Sequence, residues 1–230
     1  MGIGVLWSSE VKRRFPELAL GYAVVRGVVV GPRDDELDSF VRSREQELRS
    51  RYSLDRLKDV PLVRVYRDLF WRLGIDPTKK RPAAEALLRR ILRGGGLPSI
   101  SNVVDAYNIA SVETLVTMSA YDLARVSPPL EVRFARRGEG AMLIGGRRWR
   151  AAGGELVLAD RLGILCVYVH GDVERSKVSE DTREVLLVAY GAPGVEGDYL
   201  RRALERAVGY VTRFAGGSGG EIEVLRCRGP

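Results

Sequence analysis

Apolar and polar positions alternate between two periods along this chain, and the switches between them mark its elements. Ile3 to Trp7 reads as a short strand, and LALGYAVVRGVVV (Leu18 to Val30), rich in valine and poor in charge, reads as a buried one closed by Gly31-Pro32. From Asp34 the period becomes helical: DDELDSFVRSREQELRSRY carries acids in its first turn and arginines in its last, which complements the helix dipole, and sets Leu37, Phe40, Val41 and Leu48 toward one face. A second helix runs from Pro61 through LVRVYRDLFWRL to a stop at Gly74, and DPTKKRP follows as a basic turn. Pro82 suits the first position of a third helix, AAEALLRRILR, which ends at Gly94-Gly95-Gly96. Asn102 is expected to cap a fourth helix reaching through VVDAYNIASVETLVT.

Beyond Leu130 the period is that of strands: LEVRFARR, AMLIGG, RRWRAAGG and ELVLAD, with Gly145-Gly146 turning a hairpin. VLLVAYG reads as another buried strand. EGDYLRRALERAVGYVTRFA has the apolar stripe Leu200, Leu204, Val208, Val211 of a helix lying on a sheet, and EIEVLRCR is expected at a sheet edge. The predicted fold class is therefore α/β (α+β), with mixed or mostly antiparallel sheets covered by helices, forming a single domain over 1–230.

Composition narrows the function only a little. With 45% hydrophobic residues in 230, the chain can bury a proper core. No stretch approaches the roughly 20 apolar residues of a membrane helix, and MGIGVLWSSEV lacks the layout of a secretory leader, so no membrane partner and a cytoplasmic location are expected. Cys166 and Cys227 offer neither a disulfide framework nor metal-ligand spacing, and no metal or cofactor is expected. The net charge of +7 suits a polyanionic partner or reflects a codon or high-temperature bias; only five of the 37 basic residues are lysines, and arginine's planar fork favours phosphate. The glycine run has no GKS or GKT continuation and no preceding strand, which argues against a nucleotide loop.

The chemistry-bearing residues are few. Asp105, Asn108 and Glu113 interrupt a mostly apolar helix, where they serve either a site or the bonding of loop backbone. His170, the only histidine, precedes Gly171-Asp172 at the end of an apolar strand, either as an acid or base near neutral pH or as an ordinary hydrogen-bonded residue. Arg147, Arg148, Trp149 and Arg150 form a basic strand with one aromatic, suited to clamping an RNA backbone and stacking a base, or to packing the indole on the core edge. Thr182 and Arg183 could meet a phosphate or carboxylate.

LPSISNVVDAYNIASVETLVTMSAYDL resembles the helical segment of the tRNA-editing (B-three/B-four) domain in the beta subunit of phenylalanyl-tRNA synthetase. Asn102, Val103, Val104, Asp105, Asn108, Glu113, Ala120 and Asp122 stand where that family has the same residue types. ELVLADRLGILCVYVHGD and SKVSEDTREVLLVAYG continue the resemblance, with Ser176, Val178, Asp181, Thr182, Val185, Leu186 and Leu187 carrying it. It covers roughly residues 81–191, leaving 1–80 as an N-terminal strand-and-helix portion and 192–230 as a closing helix and strand; a chain this short is expected to be a free-standing relative.

The resemblance implies a fold with the same layering of sheets and helices, a tRNA 3′ end as partner together with a synthetase, and hydrolysis of a mischarged aminoacyl ester. Its working positions depart from the family pattern. The family's pocket threonine falls on Tyr107, its histidine on Ser119, the second glycine of a pair on Asp172 and its glutamate on Val188. A valine there supplies no carboxylate to read a phenolic hydroxyl, so a smaller or apolar aminoacyl group is implied, or a module that binds RNA, an amino acid or a synthetase without catalysis. His170, Asp172 and Ser119 are the candidate catalytic groups. The site is expected between the Asp105 helix and the strand ends at His170 and Thr182, with Tyr107, Asn108, Glu113, Arg183 and Val188 binding substrate.

Overall fold

In the computed structural model, which describes residues 3–228, the chain begins with β1 (Val5–Trp7) and a short helix α1 (Ser9–Arg14) that the apolar pattern does not reveal. β2 (Ala19–Arg26) follows as a buried strand. The first long helix, α2 (Asp35–Arg51), starts where expected because the Asp34 carboxylate accepts from the Leu37 amide at 2.8 Å. α3 (Pro61–Arg72) has its proline in the first turn, and α4 (Ala83–Leu92) begins one residue later than the sequence suggests, with Pro82 as its cap. The glycine run after α4 is structural: Gly96, at φ +61°, crosses the buried Glu45 carboxylate, which accepts from the Leu97 amide at 2.6 Å.

Two expectations are corrected at α5 (Asn102–Thr114). Its cap is Ser101, whose hydroxyl accepts from the Val104 amide, while Asn102 ties Val29 O, Phe214 O and the Gly31 amide together through its side chain. The helix also stops short of the expected end. Leu115 turns left-handed at φ 56°, the Ser111 hydroxyl donates to Val116 O at 2.5 Å, and the chain enters β3 (Thr117–Asp122). Thr-Met-Ser-Ala-Tyr alternates across the two faces of a sheet, a period that the neighbouring helix pattern masks.

The rest is strand-rich: β4 (Leu130–Phe134), the hairpin β5 (Gly140–Leu143) and β6 (Arg147–Arg150), then β7 (Leu156–Asp160), β8 (Gly163–Val167), β9 (Gly171–Asp172) and β10 (Glu184–Tyr190). The long helix α6 (Gly197–Ala215), β11 (Ser218–Gly219) and β12 (Glu223–Arg226) complete the described chain. One sheet has the order β1-β4-β7-β8-β9, antiparallel except for the β1–β4 pair. The other, wholly antiparallel, runs β11-β2-β10-β3, with β12 also on β2. This is the mixed, helix-covered α/β arrangement that the patterning predicts.

Register assigns the faces of the second sheet. Gly21, Ala189 and Met118 lie in one row, and a Cβ on Gly21 would come 2.7 Å from Cδ1 of Leu204, so α6 packs closely there. Thr117, Ser119 and Tyr121 alternate to the other face, together with Tyr190, Val188 and Leu186 opposite them on β10. Main-core residues join both sheets and the helices, and a smaller cluster, including Ala135, Leu143 and Val173, lies beneath the β5–β6 hairpin. Among the described residues, no helix is long and apolar enough to cross a membrane.

Candidate functional site

The turn from β8 into β9 brings the polar residues together. His170 N donates to Val167 O at 2.7 Å and Gly171 takes φ +106°, so the chain reverses within a few residues. Asp172 then pairs beside Cys166, while the far sheet presents Ser119 and Tyr121 to it. Between them is a cavity of about 270 Å³, walled by Tyr66, Leu69 and Phe70 of α3, by Thr117, Met118 and Ser119 of β3, by Cys166, Tyr168 and Val169, and by Tyr190 of β10. Lys80, Arg81, Ala83, His170, Gly171 and Asp172 complete its lining.

Asp172 anchors the polar part of this wall. Ser119 Oγ lies 2.9 Å from each carboxylate oxygen, and the Tyr121 hydroxyl donates to Oδ1 at 2.7 Å. Tyr121 also shares a 2.6 Å hydrogen bond with the Tyr190 hydroxyl. Burial pushes the Asp172 carboxyl above its ordinary value, and the bonds from Tyr121, Ser119 and Cys166 hold it back. Burial likewise raises the phenols of Tyr121, Tyr168 and Tyr190 and the Cys166 thiol, with the Asp172 charge adding to the shift at Tyr121, Tyr190 and Cys166. The Tyr168 hydroxyl is buried without a hydrogen-bond partner.

Basic groups gather on another part of the lining. Lys80 Nζ lies 2.6 Å from His170 Nδ1, Arg147 Nη2 donates to His170 O at 3.4 Å, and the Trp149 ring stands 5.9 Å from the imidazole. Burial lowers the His170 pKa, with Lys80 and Arg147 adding to it; burial and Arg147 lower that of Lys80. A neutral imidazole accepting from the Lys80 ammonium at Nδ1 carries its hydrogen on Nε2. Among the described residues, Lys80, Arg81, Arg147, Arg148 and Arg150 have no ion pair, and the buried Arg81 Nε has no hydrogen-bond partner.

Ser119, His170 and Asp172 thus meet at one cavity, whereas the polar helix wall expected beside them does not form. Asp105 is fully buried and taken by Arg33 at 2.9 Å and by the Ile100 amide at 3.1 Å, so it fixes the loop before α5. Glu113 is bound by Arg206 at 2.9 Å and Tyr210 at 2.8 Å, both on α6. Thr182 is buried and accepts from the Ser179 amide at 3.0 Å, and Arg183 turns to the carbonyls of Glu180 and Thr182. Asn108, half-buried on α5, is absent from the cavity lining.

Tyr107 and Val188 are buried beside the cavity lining without belonging to it. Val188 pairs with Ser119 in register, and the Asp172 charge contributes to raising the Tyr107 phenol. Arg147, Arg148 and Arg150 are exposed on β6, while Trp149 is half-buried against the smaller core cluster. Sequence reasoning missed Lys80, Arg81 and the tyrosines at positions 66, 121, 168 and 190. Tyrosines within apolar segments were the available signal, because a buried hydroxyl seeks a partner.

The fold and site define an α/β protein with an aromatic-walled pocket, a half-buried carboxylate on its lining and a basic margin. The B3/4 domain family profile matches residues 65–216, and the chain belongs to that family. It is 31% identical over 154 residues to the phenylalanine–tRNA ligase beta subunit of Haemophilus influenzae (strain ATCC 51907 / DSM 11121 / KW20 / Rd), covering 57% of this chain and 19% of that protein. The corresponding subunit of Pasteurella multocida (strain Pm70) is 30% identical over 158 residues, covering 59% of this chain and 20% of its own. The chain thus spans about a fifth of the length of these curated relatives. An N-terminal fragment of the phenylalanyl-tRNA synthetase beta subunit from Pyrococcus horikoshii superposes with a TM-score of 0.49 at 15% identity, over 95% of this chain and 50% of that one.

Proposed function

We propose that this domain binds the 3′ end of an aminoacyl-tRNA and hydrolyses a mischarged aminoacyl ester. The observation that carries the reading is the convergence of Ser119, His170 and Asp172 on one amino-acid-sized cavity whose lining also contains Lys80 and Arg81. Relationship to the beta subunit of a tRNA ligase supports a tRNA partner. Arg147, Arg148 and Arg150, without ion pairs among the described residues, offer charge for the RNA backbone, with Trp149 beside them as an aromatic surface.

Ester hydrolysis needs a delivered water and donors for the carbonyl oxygen as it becomes an oxyanion. His170 Nε2–H and the Lys80 ammonium supply the donors, while Ser119 and Asp172 orient the aminoacyl group. The water oxygen bonds to the carbonyl carbon, the ester bond breaks, and one proton from that water ends on the leaving ribose oxygen. No covalent enzyme intermediate is required.

A non-catalytic module for RNA, an amino acid or a synthetase is the second reading. It is favoured by the family positions changed at Tyr107, Ser119, Asp172 and Val188 and by the engagement of His170 Nδ1 with Lys80. Incubating this chain alone, without synthetase, with a panel of mischarged tRNAs separates the two. Accelerated release of one or more amino acids, lost in His170→Ala, supports hydrolysis; binding of tRNA with no release on any member supports the module.

A further inference from the structure

Among the described residues, Asp172 is the only carboxylate lining the cavity, and no Lys, Arg or His nitrogen lies within ion-pairing distance of it. Its partners are two hydroxyls and a thiol. Tyr66, Phe70, Tyr168 and Tyr190 stand around the same space. The Tyr66 hydroxyl is held by Tyr190 O at 2.6 Å, and Tyr168 meets Tyr190 edge-on with ring centroids 4.9 Å apart. A half-buried carboxylate without a counter-ion is costly to keep ionised, and aromatic faces attract cations, so both features favour an organic ammonium. The unpartnered Tyr168 hydroxyl adds an acceptor for one of its hydrogens.

We propose that the cavity is a receptor for a protonated primary amine at Asp172, and that this amine is the α-ammonium group of the aminoacyl moiety. The assignment rests on the aminoacyl-ester reading and adds the group by which the ligand is recognised. In an aminoacyl ester the amine and the carbonyl are separated by one carbon. Asp172 and His170 are separated by one residue, Gly171, and both line this cavity. With the amine held at Asp172, the carbonyl lies in the same cavity as the His170 and Lys80 donors.

L-Leucinamide and L-phenylalaninamide are suitable probes, each compared with its N-acetyl form by calorimetry on the intact chain. The free amines are expected to bind about tenfold or more tighter, the scale of one charge-assisted hydrogen bond. Asp172→Asn is expected to erase the preference. A readout on the unaltered protein guards against a misfolded variant: affinity should rise with pH as Asp172 ionises, then fall as the amine loses its proton near its ordinary value of about 8. Around Asp172 stand Ser119, Tyr121, Tyr190, Cys166 and Tyr107, with His170, Lys80 and Arg81 on the same cavity lining; burial raises the phenols and thiol and lowers the imidazole and the Lys80 ammonium, so the acid limb is assigned to Asp172 by its loss in Asp172→Asn and the alkaline limb to the probe by its absence with the N-acetyl form.

Equal binding of the N-acetyl forms, or no binding of any probe at about 10 mM, overturns the proposal, since even a weak ammonium site reaches that range. The hydrolase reading is judged separately. Equal deacylation of N-acetylated and free aminoacyl-tRNA would sink the amine receptor while leaving the hydrolase standing. Amide binding that depends on Asp172, with no tRNA deacylated, would do the reverse.

Discussion

Ser119 and Asp172 lie 53 residues apart in sequence and in different sheets, yet the Ser119 hydroxyl sits 2.9 Å from both oxygens of the Asp172 carboxylate. This contact joins β3 to β9 at the cavity wall. Removing it in Ser119→Ala leaves Tyr121 and Cys166 as the remaining donors to a carboxylate already disfavoured by burial. The expected cost is about 1–3 kcal/mol in urea unfolding, the range for a lost hydrogen bond to a charged group. The Asp172 pKa should rise further, measurable by carboxyl-carbon NMR.

Asp172 makes folding depend on pH with a definite sign. Burial holds its folded-state pKa above the ordinary carboxylate value, so the folded chain binds the proton more tightly than the unfolded chain does. That contribution to stability is full below the unfolded value and is lost as pH rises through the folded one. Asp105 shifts in the same direction through burial, partly offset by Arg33. Asp172→Asn should therefore flatten part of the pH dependence while leaving the Asp105 part, and melting curves from about pH 4 to 8 test it. An unchanged profile would show that Asp172 is ordinary in the folded state.

Tyr168 has the opposite character to Ser119. Its buried hydroxyl has no partner, so Tyr168→Phe should leave stability within about 0.5 kcal/mol of the parent or raise it. If that hydroxyl takes part in ligand binding, the same variant weakens binding of L-phenylalaninamide. A large loss of stability would mean that the hydroxyl is satisfied in solution.

Arg33 and Asp105 test the reassignment of the polar helix residues. Arg33 has 10% side-chain exposure and Asp105 none, and Arg33→Ala would leave a buried carboxylate without its cation. A loss of about 3–5 kcal/mol is expected from denaturant unfolding. Below the melting temperature, probe binding should change little, because neither residue lines the cavity.

Arg148 and Arg150 are exposed and without ion pairs among the described residues. Replacing both by alanine should move stability by less than about 0.5 kcal/mol. Under the proposed function it should weaken tRNA binding and lower its salt slope by about 1–2, as expected for two lost phosphate contacts. Filter binding at several salt concentrations measures both effects, and an unchanged slope would remove β6 from the RNA interface.

Most elements were legible along the chain because their periods are local. Asp34 and Gly74 mark helix limits, Gly145-Gly146 turns the hairpin, and the stripe of α6 faces the sheet as its spacing requires. The passage from α5 to β3 was not legible: a left-handed Leu115 and two hydroxyl bonds to backbone end the helix inside a run whose composition suits either structure. Of the candidate catalytic residues, His170 and Asp172 share a turn, but Ser119 reaches them only through pairing of β3 with β10 and the apposition of the other sheet.

The sequence by itself determined the family, the α/β class and the shortlist of polar residues, since periodicity and motif are written in neighbouring positions. Tertiary structure alone decided which of those residues share a cavity. Asp105, Glu113 and Thr182 are consumed by Arg33, Arg206 and the Ser179 amide, while Lys80 joins His170 across 90 residues. A polar side chain near an apolar core takes whatever partner the packed chain brings within about 3 Å, and that partner is set by the docking of sheets and helices, to which local spacing is blind.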